Sequence, residues 1–324
     1  MKWFFYVLLS AGIIAAFFEV GLRLLGFGNP PLYIADQEIG YLLAPNQKVM
    51  RLGNRIEINE YSQRTRAIAK SPAADVKRIL LVGDSVANGN WWTDQRQTIS
   101  SLLAQALDAA FPEQYVEVLN ASANSWAPRN ELAYIKRFGI FEASLVVLLL
   151  NTDDLFAGPP NPTMVGRDRN YPNRKPPFAI AEIWSIFRPQ KDPASRPTLI
   201  PKEKDPLKEN LLAIAEFKQQ VEAANSQFLL ALSPLRREVE SPGPRDYEIK
   251  ARERLADFID EQQISWIDFL EPYRQYGEPA KLYRDHIHLS PTGNQLVTDR
   301  LAESIRAQLT QKPIESAPTD NSTL

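Results

Sequence analysis

Arg78-Ile79-Leu80-Leu81-Val82-Gly83-Asp84-Ser85-Val86-Ala87-Asn88-Gly89 runs four apolar residues abruptly into Gly83-Asp84-Ser85. A short, fully apolar run suits a strand buried on both faces, as in a parallel sheet. The small polar residues after it sit where such a strand leaves the sheet, and ligands and catalytic groups gather at those carboxyl ends. A serine there can be held at the rim of a crevice with its hydroxyl exposed. Gly, Asp and Ser are also the commonest turn residues, so the stretch alone reads equally well as a strand and an ordinary turn.

A second stretch lies two hundred residues on: Asp285-His286-Ile287-His288-Leu289-Ser290-Pro291-Thr292-Gly293, ahead of an amphipathic run from Asn294 to Leu309. The chain has only 2 histidines and both are here. An imidazole that activates Ser85 must therefore come from this loop. An Asp three residues before a His can bond the imidazole Nδ1–H while Nε2 faces the serine, the order that a nucleophile, base and orienter require. That assigns Asp285 and His288; His286 points the other way in an extended loop and is a structural neighbour. The alternative is a helix-entry loop with surface histidines, which leaves its pairing with Gly83-Asp84-Ser85 a coincidence.

Val82-Gly83-Asp84-Ser85 and Asp285-His286-Ile287-His288, in this order and separation, resemble the end blocks of the SGNH, or GDSL-type, hydrolases, over roughly residues 77 to 309. The resemblance implies a three-layer α/β/α fold with a central parallel sheet. It also implies Ser85 as nucleophile, His288 as general base and Asp285 as orienter. The tetrahedral oxyanion needs donors, and the backbone N–H of Ser85 is the first. In the family a Gly of the second block adds an N–H and an Asn of the third block adds a side-chain donor. Here the Gly position falls on Ser125, whose N–H still serves if its conformation allows. Asn151-Thr152-Asp153-Asp154 puts Asp153 at the asparagine position. An ionised carboxylate repels a developing oxyanion, and losing one such donor costs roughly 3 kcal/mol. Three routes avoid this. Asp153 is protonated in an apolar site; Asn151 or Asn124 supplies the amide; or the protein binds its ligand without hydrolysing it. Substitution by a neighbouring amide is the favoured route.

Around these blocks, strands and helices alternate. Helical spacing covers Thr98 to Phe111, Pro128 to Gly139, Pro206 to Asn225 and Asp246 to Gln262; strands read at Tyr115–Leu119, Leu145–Leu150, Gln227–Leu232 and Ile264–Ile267. The alternation predicts a parallel sheet with helices on both faces. Trp91 and Trp92, in a polar loop after Ser85, are candidates for lining an acyl or sugar site, since an indole offers a large flat surface with one donor. Tryptophans also commonly cover a core edge. Eleven prolines run from Pro159 to Pro206, ten of them within the insertion at residues 156–205. This insertion is expected to be a lid, with a short helix at Ala179 to Phe187. Residues 311–324 read as a disordered tail.

The amino-terminal 27 residues are expected to form an uncleaved signal anchor. Trp3 to Phe18 carry no charge, Glu19 and Arg23 follow one helical turn apart, and no clear small-x-small cleavage site follows the apolar core. Residues 28–76 read as a connector on the domain edge, with extended pieces near Gly40–Asn46 and Ile56–Asn59. The hydrolase-like domain then covers 77–310, with the catalytic part expected outside the cytoplasm, a side that the resemblance favours.

Composition narrows the function. The net charge is −2 with no long basic block, which disfavours a nucleic-acid partner. With Cys 0, disulfides, thiolate catalysis and cysteine metal sites are excluded. Asp285, His286 and His288 lack a further histidine to complete a nitrogen-rich metal set, so no metal or cofactor is expected. The chain reads as a membrane-anchored serine esterase, or related O-acyltransferase, acting on O-acyl groups of an envelope glycan or lipid. The alternative is a non-hydrolytic envelope protein that keeps the fold to bind a glycan or a protein partner.

Overall fold

The computed structural model describes residues 2–111, 113–188 and 204–310. It opens with α1 (Lys2–Leu24), followed by two antiparallel hairpins, β1 (Tyr33–Asp36) with β2 (Gly40–Leu43), and β3 (Gln47–Arg51) with β4 (Asn54–Ile58). The main domain then runs β5 (Val76–Gly83), α2 (Ser85–Asn88), α3 (Ile99–Ala110), β6 (Tyr115–Ser122), α4 (Pro128–Phe138) and β7 (Leu145–Asn151). After the insertion with α5 (Ala179–Phe187) come α6 (Pro206–Ala223), β8 (Gln227–Ser233), α7 (Arg236–Val239), α8 (Asp246–Glu261), β9 (Trp266–Asp268), α9 (Leu270–Arg274) and α10 (Pro291–Thr310).

Strands β5 to β9 form one parallel sheet in the order β6-β5-β7-β8-β9. Its central strands are buried on both faces, which is why they read as unbroken apolar runs. Leu80 and Val82 of β5 pack into one core with Trp126, α4, α6 and α8, while Ile79 and Leu81 pack on the other side with α3, α9 and α10. The three-layer α/β/α reading therefore holds. Gly83 ends β5 where a side chain has no room: a Cβ there would stand 2.5 Å from the Leu149 carbonyl oxygen and 2.9 Å from the Ala87 Cβ. The serine that follows can thus turn out of the sheet directly against its neighbouring strand.

The hairpins are part of the same core. Tyr41, Val49, Ile56 and Ile58 are buried in the cluster that contains Leu80 and Val82. In the insertion the helix expected at Ala179 to Phe187 is present; residues 189–203 of it, and the tail 311–324, lie outside the described residues. Among the described residues α1 is the one helix long and apolar enough to cross a membrane. Among the described residues, only its carboxyl end touches the domain. Leu22 is buried, Gly26 at φ +90 terminates the helix, and the Leu25 carbonyl accepts the Leu52 N–H at 2.7 Å.

Candidate active site

The loops leaving the carboxyl ends of β5 and β6 meet the Asp285–His288 loop at one cavity of about 580 Å3. Ser85 is the first residue of α2, so its N–H has no helical partner. Asp84 caps this short helix, its Oδ1 accepting the Val86 N–H at 2.8 Å. His288 Nε2 stands 2.9 Å from Ser85 Oγ, and His288 Nδ1 stands 2.7 Å from Asp285 Oδ2. The other Asp285 oxygen accepts the backbone N–H groups of Ile287 and His288 at 3.0 and 2.8 Å. One carboxylate thus sets both the turn and the imidazole that the turn carries. Burial pushes the Asp285 carboxyl upward, but these backbone donors and the ring outweigh it and hold the group below its ordinary value. Ser85 Oγ also lies 3.2 Å from Asp84 Oδ2, so the hydroxyl has two acceptors for one proton.

Ser125 and Asn124 line the same cavity. Ser125 sits at φ +56, the left-handed region that glycine occupies at little cost, which accounts for a glycine being the usual residue there. Three bonds hold it. The Tyr41 hydroxyl donates to the carbonyls of Asn124 and Ser125 at 2.8 and 3.0 Å, and the Tyr171 hydroxyl donates to Ser125 Oγ at 2.9 Å. Among the described residues, no partner takes the N–H of Ser85 or of Ser125. The Asn124 side chain is similarly unengaged, its Oδ1 buried without a hydrogen bond.

The loop after β7 behaves differently. Asn151 is buried and its Nδ2 is spent on two carboxylates, Asp84 Oδ2 at 2.7 Å and Asp154 Oδ2 at 2.9 Å. Asp153 turns outward. Its side chain is 49% exposed, 3.7 Å from the Arg237 guanidinium, and it does not line the cavity. The structure therefore brings Ser85, Ser125, Asn124, Asp285 and His288 together, and leaves Asp153 and the Asn151 amide out of the hollow. Beneath the loop, burial and the neighbouring charges of Asp84 and Glu131 push Asp154 well above an ordinary carboxylate, and burial does the same to Glu131. These buried acids favour their neutral forms.

Trp91 and Trp92 both line the cavity. The Trp92 ring meets the His288 ring edge-on at 5.0 Å, and the Arg284 guanidinium lies 4.9 Å from the Trp92 ring centre. His286, 76% exposed at its side chain, is on the rim. Sequence reasoning missed the far wall. There Arg51 Nη2 pairs with Glu182 Oε1 at 2.5 Å while stacking over Trp91 at 5.1 Å. It also missed Arg64, fully buried and, among the described residues, without an acidic partner within ion-pair distance. Its guanidinium donates to the carbonyls of Asn88, Asn90 and Thr93 and so fixes the loop that carries the tryptophans. An arginine in a connector carries no local signal of such a role. Among the described residues no group of three or more His, Asp or Glu side chains could hold a metal ion.

Comparison with known proteins identifies the family of the chain. The GDSL-like lipase/acylhydrolase family matches residues 81–296, well over half of the chain. No curated protein matches in sequence. Solved structures of similar fold include LAE5, an alpha/beta hydrolase enzyme from the metagenome of Lake Arreo, at 14% identity and TM-score 0.48, covering 75% of this chain and 99% of that one. A lipase/acylhydrolase from Enterococcus faecalis is 15% identical with TM-score 0.45, covering 72% and 96%. A variant of an acetyl xylan esterase from Geobacillus stearothermophilus is 14% identical with TM-score 0.47, covering 73% and 97%. From the family match over residues 81–296, the chain belongs to the GDSL-like lipase/acylhydrolase family.

Proposed function

We propose that the protein is a membrane-anchored serine esterase that acts on O-acyl groups of an envelope glycan or lipid, with Ser85 as nucleophile, His288 as general base and Asp285 as its orienter. The observation that carries this reading is the unbroken line from Asp285 through both ring nitrogens of His288 to the Ser85 hydroxyl. As Ser85 Oγ attacks the ester carbonyl carbon, its proton passes to His288 Nε2. Asp285 stabilises the resulting imidazolium and fixes the productive tautomer. The tetrahedral oxyanion is received by the N–H groups of Ser85 and Ser125 and by the Asn124 amide. Collapse breaks the bond to the alcohol, which leaves with the proton from His288. Water then attacks the acyl-Ser85 ester, gives its proton to His288, and releases the acid as Ser85 takes the proton back.

Asp84 competes for the Ser85 proton, but its acceptor is the farther of the two and already receives the Asn151 amide. Trp91 and Trp92 give the substrate an aromatic wall, and the insertion contributes Tyr171 and Glu182 to the cavity as a lid. The anchoring part of the proposal rests on α1, long and apolar enough to span and exposed along nearly all its length. Fluorophosphonate labelling of the full chain in detergent tests the chemistry. Labelling at Ser85 that disappears in Ser85→Ala, together with turnover of an activated ester that the same substitution abolishes, is the expected result. No labelling and no turnover would reject it.

A further inference from the structure

The described part of the insertion ends in a helix whose outer side has no partner among the described residues. Within α5, Ala179 is buried, and Glu182 and Ile183 are half-buried toward the domain. Ile180, Trp184 and Phe187, spaced i, i+4, i+7, share the opposite stripe, and Trp184 and Phe187 are 62% and 80% exposed. Phe178, just before the helix, is 61% exposed. Cations flank this apolar stripe along the chain. Arg174 and Lys175 are exposed immediately upstream, and the Arg188 guanidinium lies 6.0 Å from the Trp184 ring centre. Aromatic and aliphatic groups bordered by Lys and Arg are the composition of a helix lying in a lipid interface.

The position of α5 along α1 supports the same reading. Both Glu19 carboxylate oxygens cap α5, accepting the N–H groups of Ala179 and Ile180 at 2.8 and 3.0 Å. Arg23 donates to the Pro177 carbonyl at 3.0 Å, and Glu182 accepts the Gly28 N–H at 2.6 Å. The uncharged stretch of α1 before Glu19 is roughly 24 Å long at ~1.5 Å per residue, a little less than a bilayer's hydrocarbon core of ~30 Å. The start of α5 is thus bonded to α1 at the level where the apolar stretch ends, which in an anchored protein is the headgroup boundary.

We infer that α5 is an interfacial membrane helix, held beside α1 by Glu19 and Arg23, with Ile180, Trp184 and Phe187 seated in a lipid surface bearing anionic headgroups. Because Glu182, Ser185 and Ile186 of the same helix line the Ser85 cavity, one wall of that cavity then stands at the bilayer surface. The inference rests on the anchoring role proposed for α1 and not on catalysis.

The chain contains no cysteine, so single labelling sites can be introduced cleanly. Trp184→Cys and Phe187→Cys, each spin-labelled in the full chain, would be reconstituted in phosphatidylethanolamine–phosphatidylglycerol bilayers. Collision with oxygen, which concentrates in lipid, is compared with collision with a water-soluble nickel chelate. Ala15→Cys in α1 and Glu303→Cys on α10 are the lipid and water references. The expected result is that both α5 labels favour oxygen over nickel, at a depth between the two references. α5 labels as accessible to nickel as the Glu303 label, with the Ala15 label in lipid, would overturn the placement of α5 alone. An Ala15 label in water would overturn the anchor and α5 with it. Labels on α5 shielded from both reagents would indicate a protein partner or a second copy and would also overturn it.

Discussion

The loops after β6 and β7 leave the sheet at the same rim, and each departs from the residue usual in the family. They end in opposite roles. After β6, Ser125 keeps a glycine-like backbone angle because Tyr41 and Tyr171 hold it there, and it borders the cavity with no partner on its N–H among the described residues. After β7, a short 3-10 turn carries Asp153 outward and Asn151 inward onto two buried carboxylates. A backbone donor survives substitution of its own side chain, provided other residues hold the angle. A side-chain donor does not, and its duty passes to whichever amide still points into the hollow. Asn124, which borders the cavity, is the amide we propose for that duty.

Four substitutions sharpen or break this contrast. Asn124→Ala is expected to have the largest effect, lowering kcat by roughly 10^2- to 10^3-fold, the usual consequence of removing one oxyanion donor. Steady-state kinetics on a soluble ester reads this, and the melting temperature should hardly move. Asn151→Ala should do the reverse. It removes the donor shared by Asp84 and Asp154 and costs about 1–3 kcal/mol of stability by leaving buried acceptors unsatisfied, measurable as a lower denaturant midpoint. A large loss of kcat with unchanged stability in Asn151→Ala would mean that the loop after β7 still serves the oxyanion.

Tyr41→Phe frees the Asn124 and Ser125 carbonyls from their common donor. It should lower kcat by up to about tenfold with little change in KM, consistent with a net hydrogen-bond value of ~1 kcal/mol. Asp153→Asn should have the smallest effect, changing turnover by less than about twofold, because exposed ion pairs contribute little. A marked rise in kcat for Asp153→Asn would show that its carboxylate opposes the reaction after all.

The two end blocks were legible in the sequence because their chemistry is concentrated. The only histidines lie three residues or fewer from Asp285, and Gly83 marks a tight approach that no other residue fits. The central strands were legible because burial on both faces leaves nothing polar in them. The supporting wall was not. Tyr41 acts 83 and 84 residues away from where it is read, and Arg51 meets Glu182 across 131 residues, with no local period to reveal either contact. The direction of Asp153 was hidden for a different reason. Sequence places a side chain on a loop, but the turn decides whether it faces the cavity or Arg237.

The account depends on Ser85 carrying the acyl group. Intact-mass measurement after brief mixing of the full chain with an activated ester, followed by peptide mapping, tests this directly. An added acyl mass on the peptide containing Ser85, absent in Ser85→Ala and strongly reduced in His288→Ala, is the predicted result. Ester turnover that proceeds with no acyl adduct and survives Ser85→Ala would contradict it.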